Sequence, residues 1–399
     1  MSESSGSLTA ATMRKPMGDD QAGSGALRGI KVIEFAGLGP VPFAAMMLAD
    51  HGADVIRIDR PGSELDPHDP VGRSRRSICL DLKHPEGLAI ANRLLRTADI
   101  LLEGFRPDVM ERLQLGPGTC TSDNPRLIYA RLSGWGRRGP WASAPGRDLN
   151  YVAMSGALAA IGGCDQPPAP PLNLVGDYGG GAMLLTAGIL MALYARERTG
   201  KGQVVDASIL SGATLLTTWI CGQVARGAWL PTRESNLLDG GAPFYRAYRC
   251  RDGGWLTVGA IDADAGREFL DGLGVPADDP LREAFRDRSR WHEATDALSR
   301  RIAILDRDEW VRRFSGTRAC VAAALTFAEA PRHPQHLANG TFQTLAGVTQ
   351  PAPAPEFSGT AAPKSRPPCR PGEHTREILA ALAMTDDEIG KCLSRGIAR

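Results

Sequence analysis

One stretch near the start limits the fold more than any other. A β-branched apolar run, IKVIEFA (30–36), stops at GLGP, passes into the apolar segment PFAAMMLADHG, and returns as ADVIRIDR (53–60). Strand, glycine turn, helix and strand make a βαβ unit, which requires neighbouring parallel strands and a covering helix. The alternation continues through SICLDL (77–82), GLAIANRLLRTA (87–98), DILLEGF (99–105) and RLIYARLSGWG (126–136). Residues 28–136 are therefore expected to form an α/β, Rossmann-like unit around a parallel sheet.

The chain is 399 residues long, too long for one small core, and 43% of it is hydrophobic. Two domains are expected. Lys and Arg total 46 against 45 Asp and Glu, so the net charge of +1 offers no field for nucleic acid. The eight cysteines form no C-x-x-C, and the seven histidines show no H-E-x-x-H spacing. These patterns predict reduced thiols, no structural metal and a cytoplasmic location.

Residues 1–27 are Ser/Gly-rich without an apolar h-region and read as a disordered tail, not a signal peptide. GGGAMLLTAGILMALYA (179–195), inside a helical stretch over 178–198, is expected to be a buried helix and not a membrane span. The large α/β domain is set at 28–215 and completed by 331–399, with a linker at 216–235. From 236 to 330 short strands around glycine turns, followed by charged helical segments, predict a smaller α+β domain. A Pro-rich connector at 350–375 leads to a closing amphipathic helix, REILAALAMTDDEIGKCL.

Gly37-Leu38-Gly39 after the first strand, with Asp59 some twenty residues on, invites a dinucleotide reading. The third glycine of G-x-G-x-x-G falls on Pro42, which has no N–H to donate, so a generic doubly wound turn is the better reading. Basic residues at strand ends carry more information. Arg60 follows the second strand, Arg73, Arg75, Arg76 and Lys83 lie in GRSRRSICLDLK, and Arg106 and Arg112 lie in EGFRPDVMER. Ligands of open parallel sheets sit beyond the carboxyl ends of the strands, where arginines suit a phosphorylated group. A solvated basic face is the plainer alternative.

Eight phrases then converge: GIKVIEFAGLGPVPFAAMMLADHGADVIRIDRP, RSICLDLKHPEG, LLEGFRPDVMERL, RLIYARLSGWG, GRDLNY, LNLVGDYGGG, GKGQVVDAS and PGEHTREIL. Together they resemble the class III CoA-transferase family, which includes the α-methylacyl-CoA racemases, and LDGGAPFY (238–245) resembles the racemase branch. The resemblance spans about 28–390. It implies an interlocked homodimer whose active site lies between one chain's large domain and the partner's small domain. The ligand is an acyl-CoA thioester, a substrate and not a permanently bound cofactor, with neither nucleic acid nor membrane as partner. CoA contacts are implied for Arg60, Lys83, Arg106 and Arg112, with Gly104, Gly146 and Tyr151 close by.

The resemblance also implies catalytic roles. Asp177 matches the family aspartate, a nucleophile in transferases and one of two α-carbon bases in racemases. The glycines after it suit a tight turn, and a plain helix-capping aspartate is the alternative. Arg147 stands where racemases have their second base, a histidine, and Asp262 stands where that histidine has its glutamate. Arginine is a poor base: a neutral guanidine at pH 7 costs roughly 7 kcal/mol. A guanidinium beside Asp177 would instead hold that carboxyl ionised and below its ordinary range, ready to attack a thioester, while an ion pair with Asp148 is the structural alternative. Three readings follow: acyl transfer to a carboxylate through Asp177, a racemase-like isomerase with a replacement base, and a CoA-binding pseudoenzyme.

Overall fold

The computed structural model of the chain describes residues 24–399. Most of the expected N-terminal tail lies outside these residues. Of the part inside, Leu27 donates its N–H to the His51 carbonyl at 2.8 Å, which ties it to the end of the first helix.

The elements begin with β1 (Lys31–Phe35), α1 (Pro40–Asp50), β2 (Asp54–Asp59), β3 (Arg76–Cys79), α2 (Pro85–Arg96), β4 (Ile100–Glu103), α3 (Val109–Arg112), α4 (Pro117–Asp123) and β5 (Ile128–Ser133). α5 (Asp148–Met154) follows, then a π-helical segment (Leu174–Met183) running into α6 (Leu184–Thr199), β6 (Val204–Ser208), α7 (Ile209–Leu216) and α8 (Thr218–Ala225). The six strands form one parallel sheet in the order β3-β2-β1-β4-β5-β6. This is the mixed α/β, Rossmann-like arrangement that the βαβ alternation predicts.

The period of two along each strand divides the core. Ile33, Phe35, Ile56, Ile58, Leu101 and Tyr129 face one side, against Ile90 and Leu94 of α2. Val32, Val55, Ile100, Leu102 and Ile128 face the other, against Ala44, Ala45 and Leu48 of α1 and Leu185 and Ile189 of α6. Burial on both faces is why these strands read as continuous apolar runs.

A second layer of structure holds β7 (Tyr245–Arg249), β8 (Trp255–Gly259), α9 (Ala263–Gly272), α10 (Leu281–Ala284), α11 (Trp291–Ile302), α12 (Arg307–Phe314) and β9 (Val321–Ala323). β7, β8 and β9 pair antiparallel. Their own core gathers Leu256, Val258, Phe269, Leu298, Trp310 and Phe314. The chain then forms α13 (Pro334–Asn339), the antiparallel hairpin β10 (Phe342–Leu345) and β11 (Val348–Pro351), α14 (Thr375–Ala381) and α15 (Asp386–Ser394).

Three sequence expectations need correction. The closing amphipathic helix is two helices: Ala383 takes φ 58°, and Thr385 starts α15 as an N-cap in a capping box with Glu388. The apolar helix is buried on one side only. Leu185, Ile189 and Ala192 enter the sheet core, whereas Met191 is 71% exposed and Tyr194 lies open beside it. By length and composition Leu174–Thr199 meets the requirement for a membrane span, yet its inner face is occupied by the sheet.

The third correction concerns the arginines of GRSRRSI. Arg73 pairs with Asp50 at 2.5 Å and also donates to Gln350 of β11, with both charged side chains buried. Arg76 bridges Asp54 and Glu377, each at 2.6 Å. Arg75 contacts Glu34 at 2.6 Å with neither side chain exposed, and also donates to the Val71 and Pro42 carbonyls. All three serve the fold. Buried charges demand partners of this kind, because an isolated ion loses its hydration without compensation. Arg75→Leu leaves Glu34 as an uncompensated buried acid and is expected to cost about 3–5 kcal/mol in chemical unfolding. A loss below about 1 kcal/mol would contradict the role given to the pair.

Candidate active site

The strand order reverses direction at one place. β2 and β3 lie on one side of β1, while β4, β5 and β6 lie on the other. At such a switch point the loops leaving adjacent strands diverge and open a crevice. The loop after β1 ends at Gly39, whose φ 76° and ψ −128° are a glycine conformation. Pro40 opens α1, where a missing N–H is harmless. The loop after β4 begins at Gly104, where a methyl group would lie 2.9 Å from Val41 Cγ2. Two glycines thus let both loops approach the start of α1.

Asp177 is brought to this crevice by the π-helical segment, a wide and rare helix type frequent at functional sites. The glycines that follow it serve helix packing and not the expected tight turn. Side chains at Gly180 or Gly212 would collide with the backbone of the other helix, so α7 lies directly on the π-helix. Asp177 is also no helix cap, because the helix begins at Leu174. Its N–H donates to Asp148 Oδ1 at 2.7 Å. Its Oδ2 sits 3.3 Å from where a side chain at Gly39 would start.

α5 supplies the facing wall. Its N-cap is Arg147, whose N–H donates to Asn150 Oδ1 at 3.0 Å. Tyr151, one turn on, is buried, and its ring stands edge-on to Trp135 with centroids 4.7 Å apart. Gly146 is required beside it: a methyl there would come 2.6 Å from Tyr151 Cε1 and 2.9 Å from Trp135 Cζ2. Burial and the Asp177 charge push the Tyr151 phenol up, while Arg147 and Arg106 oppose them. Tyr151, Asp177, Arg147 and Arg106 therefore share one electrostatic neighbourhood.

The Asp177 carboxyl departs from expectation. It is pushed up to about 6, first by burial and then by the negative charge of Asp148. Arg147 is not among the charges that set it. The guanidinium is exposed, so water screens it, and its hydrogen bond is a long one to the Gly146 carbonyl at 3.5 Å. Among the described residues it forms no ion pair, with Asp148 or any other acid. The arginine next to the site is a free cation, not an ionising partner for Asp177.

The other expected residues divide. Arg60 after β2, Lys83 before α2, Arg106 after β4 and Arg112 in α3 are exposed, and no ion pair engages them among the described residues. All four lie beyond the carboxyl ends of strands or in the segments that follow. Asp262 lies elsewhere in this chain, capping α9 by accepting the Ala265 N–H at 2.8 Å. Among the described residues no cluster of three His, Cys, Asp or Glu side chains is close enough to hold a metal ion.

Two acids were not read as site residues. Asp148 was seen only as a partner for Arg147. Glu103, which ends β4, is buried, accepts the Phe105 N–H at 2.8 Å, and is raised to about 7 chiefly by burial. The one signal for it is an acid closing the apolar run ILLE. A cavity of about 650 Å³ lined by Trp135, Arg138, Leu184, Met191 and Ser208 shares Trp135 with the tyrosine stack but does not include Asp177.

Known proteins share this architecture. Residues 27–375 match the model of CoA-transferase family III. A human protein, alpha-methylacyl-CoA racemase, is 44% identical over 366 residues, covering 91% of this chain and 95% of the relative. Acetyl-CoA:oxalate CoA-transferase of Acetobacter aceti is 33% identical, covering 90% of this chain and 94% of the relative. The crystal structure of a CAIB/BAIF family protein from Brucella suis superposes with a TM-score of 0.79 at 25% identity, covering 90% of this chain and all of the other.

Gly39→Ala tests the crevice directly. Forcing a side chain into that conformation is expected to cost about 1–2 kcal/mol and to crowd Asp177 Oδ2. Turnover of acyl-CoA should fall by at least tenfold while the folded protein persists in circular dichroism. Unimpaired turnover would separate the glycine loop from the chemistry.

Proposed function

The chain belongs to CoA-transferase family III, and from that premise we propose that it moves CoA between carboxylic acids through Asp177. Acyl-CoA chemistry of the family III type is its general activity. What supports the finer assignment is the placement of Asp177: half-buried at the switch-point crevice, against the Gly39 loop, with two guanidiniums nearby that have no ion pair among the described residues. With a carboxyl at about 6, roughly ten molecules in eleven hold Asp177 ionised at pH 7. That is a sufficient population of nucleophile without help from Arg147.

An Asp177 carboxylate oxygen attacks the thioester carbonyl, the C–S bond breaks, and the products are an aspartyl–acyl anhydride and CoA thiolate. The thiolate then attacks the Asp177 carbonyl, releasing the donor carboxylate and leaving CoA on the enzyme. An acceptor carboxylate attacks that thioester, again freeing thiolate. The thiolate takes the acceptor's acyl group and returns Asp177 as a carboxylate. Each tetrahedral intermediate carries an oxyanion, and the Arg147 guanidinium is the permanent cation for it. Arg106, Arg112, Arg60 and Lys83 bind CoA phosphates, with Gly104, Gly146 and Tyr151 shaping the groove.

A second reading has its own support. A carboxyl near 6 suits proton exchange near neutral pH, and a 44% identical relative is named a racemase. Under that reading Asp177 removes the α-proton, Arg147 stabilises the enolate oxygen, and a replacement group returns the proton. Asp262 bears on either reading only if it arrives from a partner chain. We place the protein as an interlocked homodimer with domains at 28–215 (plus 331–399) and 236–330. The open apolar side chains Met191, Tyr194, Leu215, Leu216 and Val224 support such a covered face. The same reading keeps it in the cytoplasm.

Isotope, trapping and binding experiments test these assignments. Acyl-CoA incubated in D₂O, with and without carboxylate acceptors, gives a new thioester if CoA is transferred and α-deuterium if the enzyme isomerises. Hydroxylamine should convert an Asp177 adduct to a hydroxamate, Asp177→Asn should abolish turnover, and the acid limb of kcat/KM should fall near pH 6. Deuterium incorporation with neither adduct nor transfer would overturn the transferase in favour of the isomerase. For binding, Arg106→Ala or Arg112→Ala should weaken CoA by about 1.5–3 kcal/mol in calorimetry, the worth of a charge-assisted hydrogen bond. Unchanged affinity in both would remove them from the groove.

A further inference from the structure

Asp148 stands one residue from Arg147, opens α5 where an acid suits the helix N-terminus, and pairs with no cation among the described residues. What it does hold is the Asp177 peptide. Its Oδ1 accepts the Asp177 N–H at 2.7 Å, across 29 residues of chain. A donor in the first turn of a helix has no partner within that helix, so it must find one outside. Gly176 makes room for the bond: a side chain there would collide with Asp148 Oδ1 and lie 2.9 Å from Val152 Cγ2. The fit therefore involves two positions, an acid at the start of α5 and a bare backbone before Asp177.

We propose that Asp148 is the positioning residue of the site, fixing the Asp177 peptide through its N–H and setting by its charge the field in which Asp177 works. The proposal rests on Asp177 being the reacting group. A neutral acceptor would hold the peptide equally well, so the choice of a carboxylate has to show in the electrostatics. The surroundings isolate that effect. α7, packed on the π-helix, carries no titratable side chain, and neither do residues 36–41 of the Gly39 loop. Tyr178 shares the π-helical segment and stacks on Phe43 at 4.2 Å. Of the other elements packed on the segment, α1 holds only Asp50, paired with Arg73, and β6 only Asp206, paired with Arg131. α6 holds Tyr194, Arg196, Glu197 and Arg198 towards its C-terminal end, and α5 adds Tyr151 and Arg147, with Arg106 beyond β4. Asp148 is the one charge that adds to burial in raising the Asp177 carboxyl.

The test compares wild type with Asp148→Asn and Asp148→Ser, which keep a short acceptor without charge, and Asp148→Ala, which removes the acceptor. Carbon-13 NMR of aspartate-labelled protein follows the Asp177 carboxyl, assigned by its disappearance in Asp177→Asn. In the two neutral-acceptor variants its titration should move to lower pH by about one unit. The acid limb of kcat/KM should follow it, with KM for acyl-CoA unchanged. Asp148→Ala should in addition lose kcat by about ten- to a hundredfold, as expected when a reacting group is misplaced by a fraction of an ångström. If Asn or Ser fails to fold, the other carries the measurement. A titration that coincides with wild type in the neutral variants would overturn the proposal, even if kcat falls. Retained turnover in Asp177→Asn would instead sink the assignment of Asp177, and the NMR result would still decide the electrostatic role of Asp148.

Discussion

The buried contact between Arg75 and Glu34 organises much of what surrounds it. Glu34 lies in the central strand, on the face where its neighbours are aliphatic, and Arg75 reaches it from the approach to β3. A charge in such a place is retained only if every hydrogen-bonding position is met. Arg75 meets them by also gripping the carbonyls of Pro42 and Val71. One guanidinium thereby fastens the first turn of α1 and the connection before β3 to the middle of the sheet. The Gly39 loop lies immediately before that turn, so its position beside Asp177 is inherited from an interaction buried within the sheet.

The Asp177 carboxyl is held from the opposite direction. A π-helix widens the backbone ring, and here the cost is offset by close glycine contacts between that helix and α7. Burial and the charge of Asp148 then raise that carboxyl to about 6. Among the described residues the two cations near Tyr151 are in no ion pair, so no acid neutralises their charge.

Much of this was legible in the residues, and the failures have identifiable causes. The sheet was readable because strands buried on both faces leave uninterrupted Val/Ile/Leu runs, as in KVIEF and DVIRID. Basic residues at strand ends were readable as a class but not individually. Arg106 and Arg75 look alike in sequence, and only long-range partners such as Glu34 and Pro42 distinguish a free cation from a structural one. The glycines after Asp177 suggested a turn because a π-helix has no compositional signature of its own. The state of Asp177 was missed because Arg147, the conspicuous cation of GRDLNY, is exposed and screened, whereas Asp148 makes the contact. Ala383 broke the last helix in the middle of an otherwise regular apolar period.

The C-terminal segment has a consequence for how the protein comes into being. Ile378, Leu379, Ile389, Ile397 and Ala398 complete one face of the parallel sheet, Leu80 bridges to Ala398, and Ser74 donates its N–H to the Arg366 carbonyl at 2.9 Å. A ribosome delivers β1 to β5 long before those residues. The cluster spanning Tyr248 to Ala319 draws on contiguous sequence and can consolidate during synthesis. The parallel sheet must wait with part of one face uncovered until the rest of the chain has emerged, and during that interval the apolar surface that the last helices cover stays open to water.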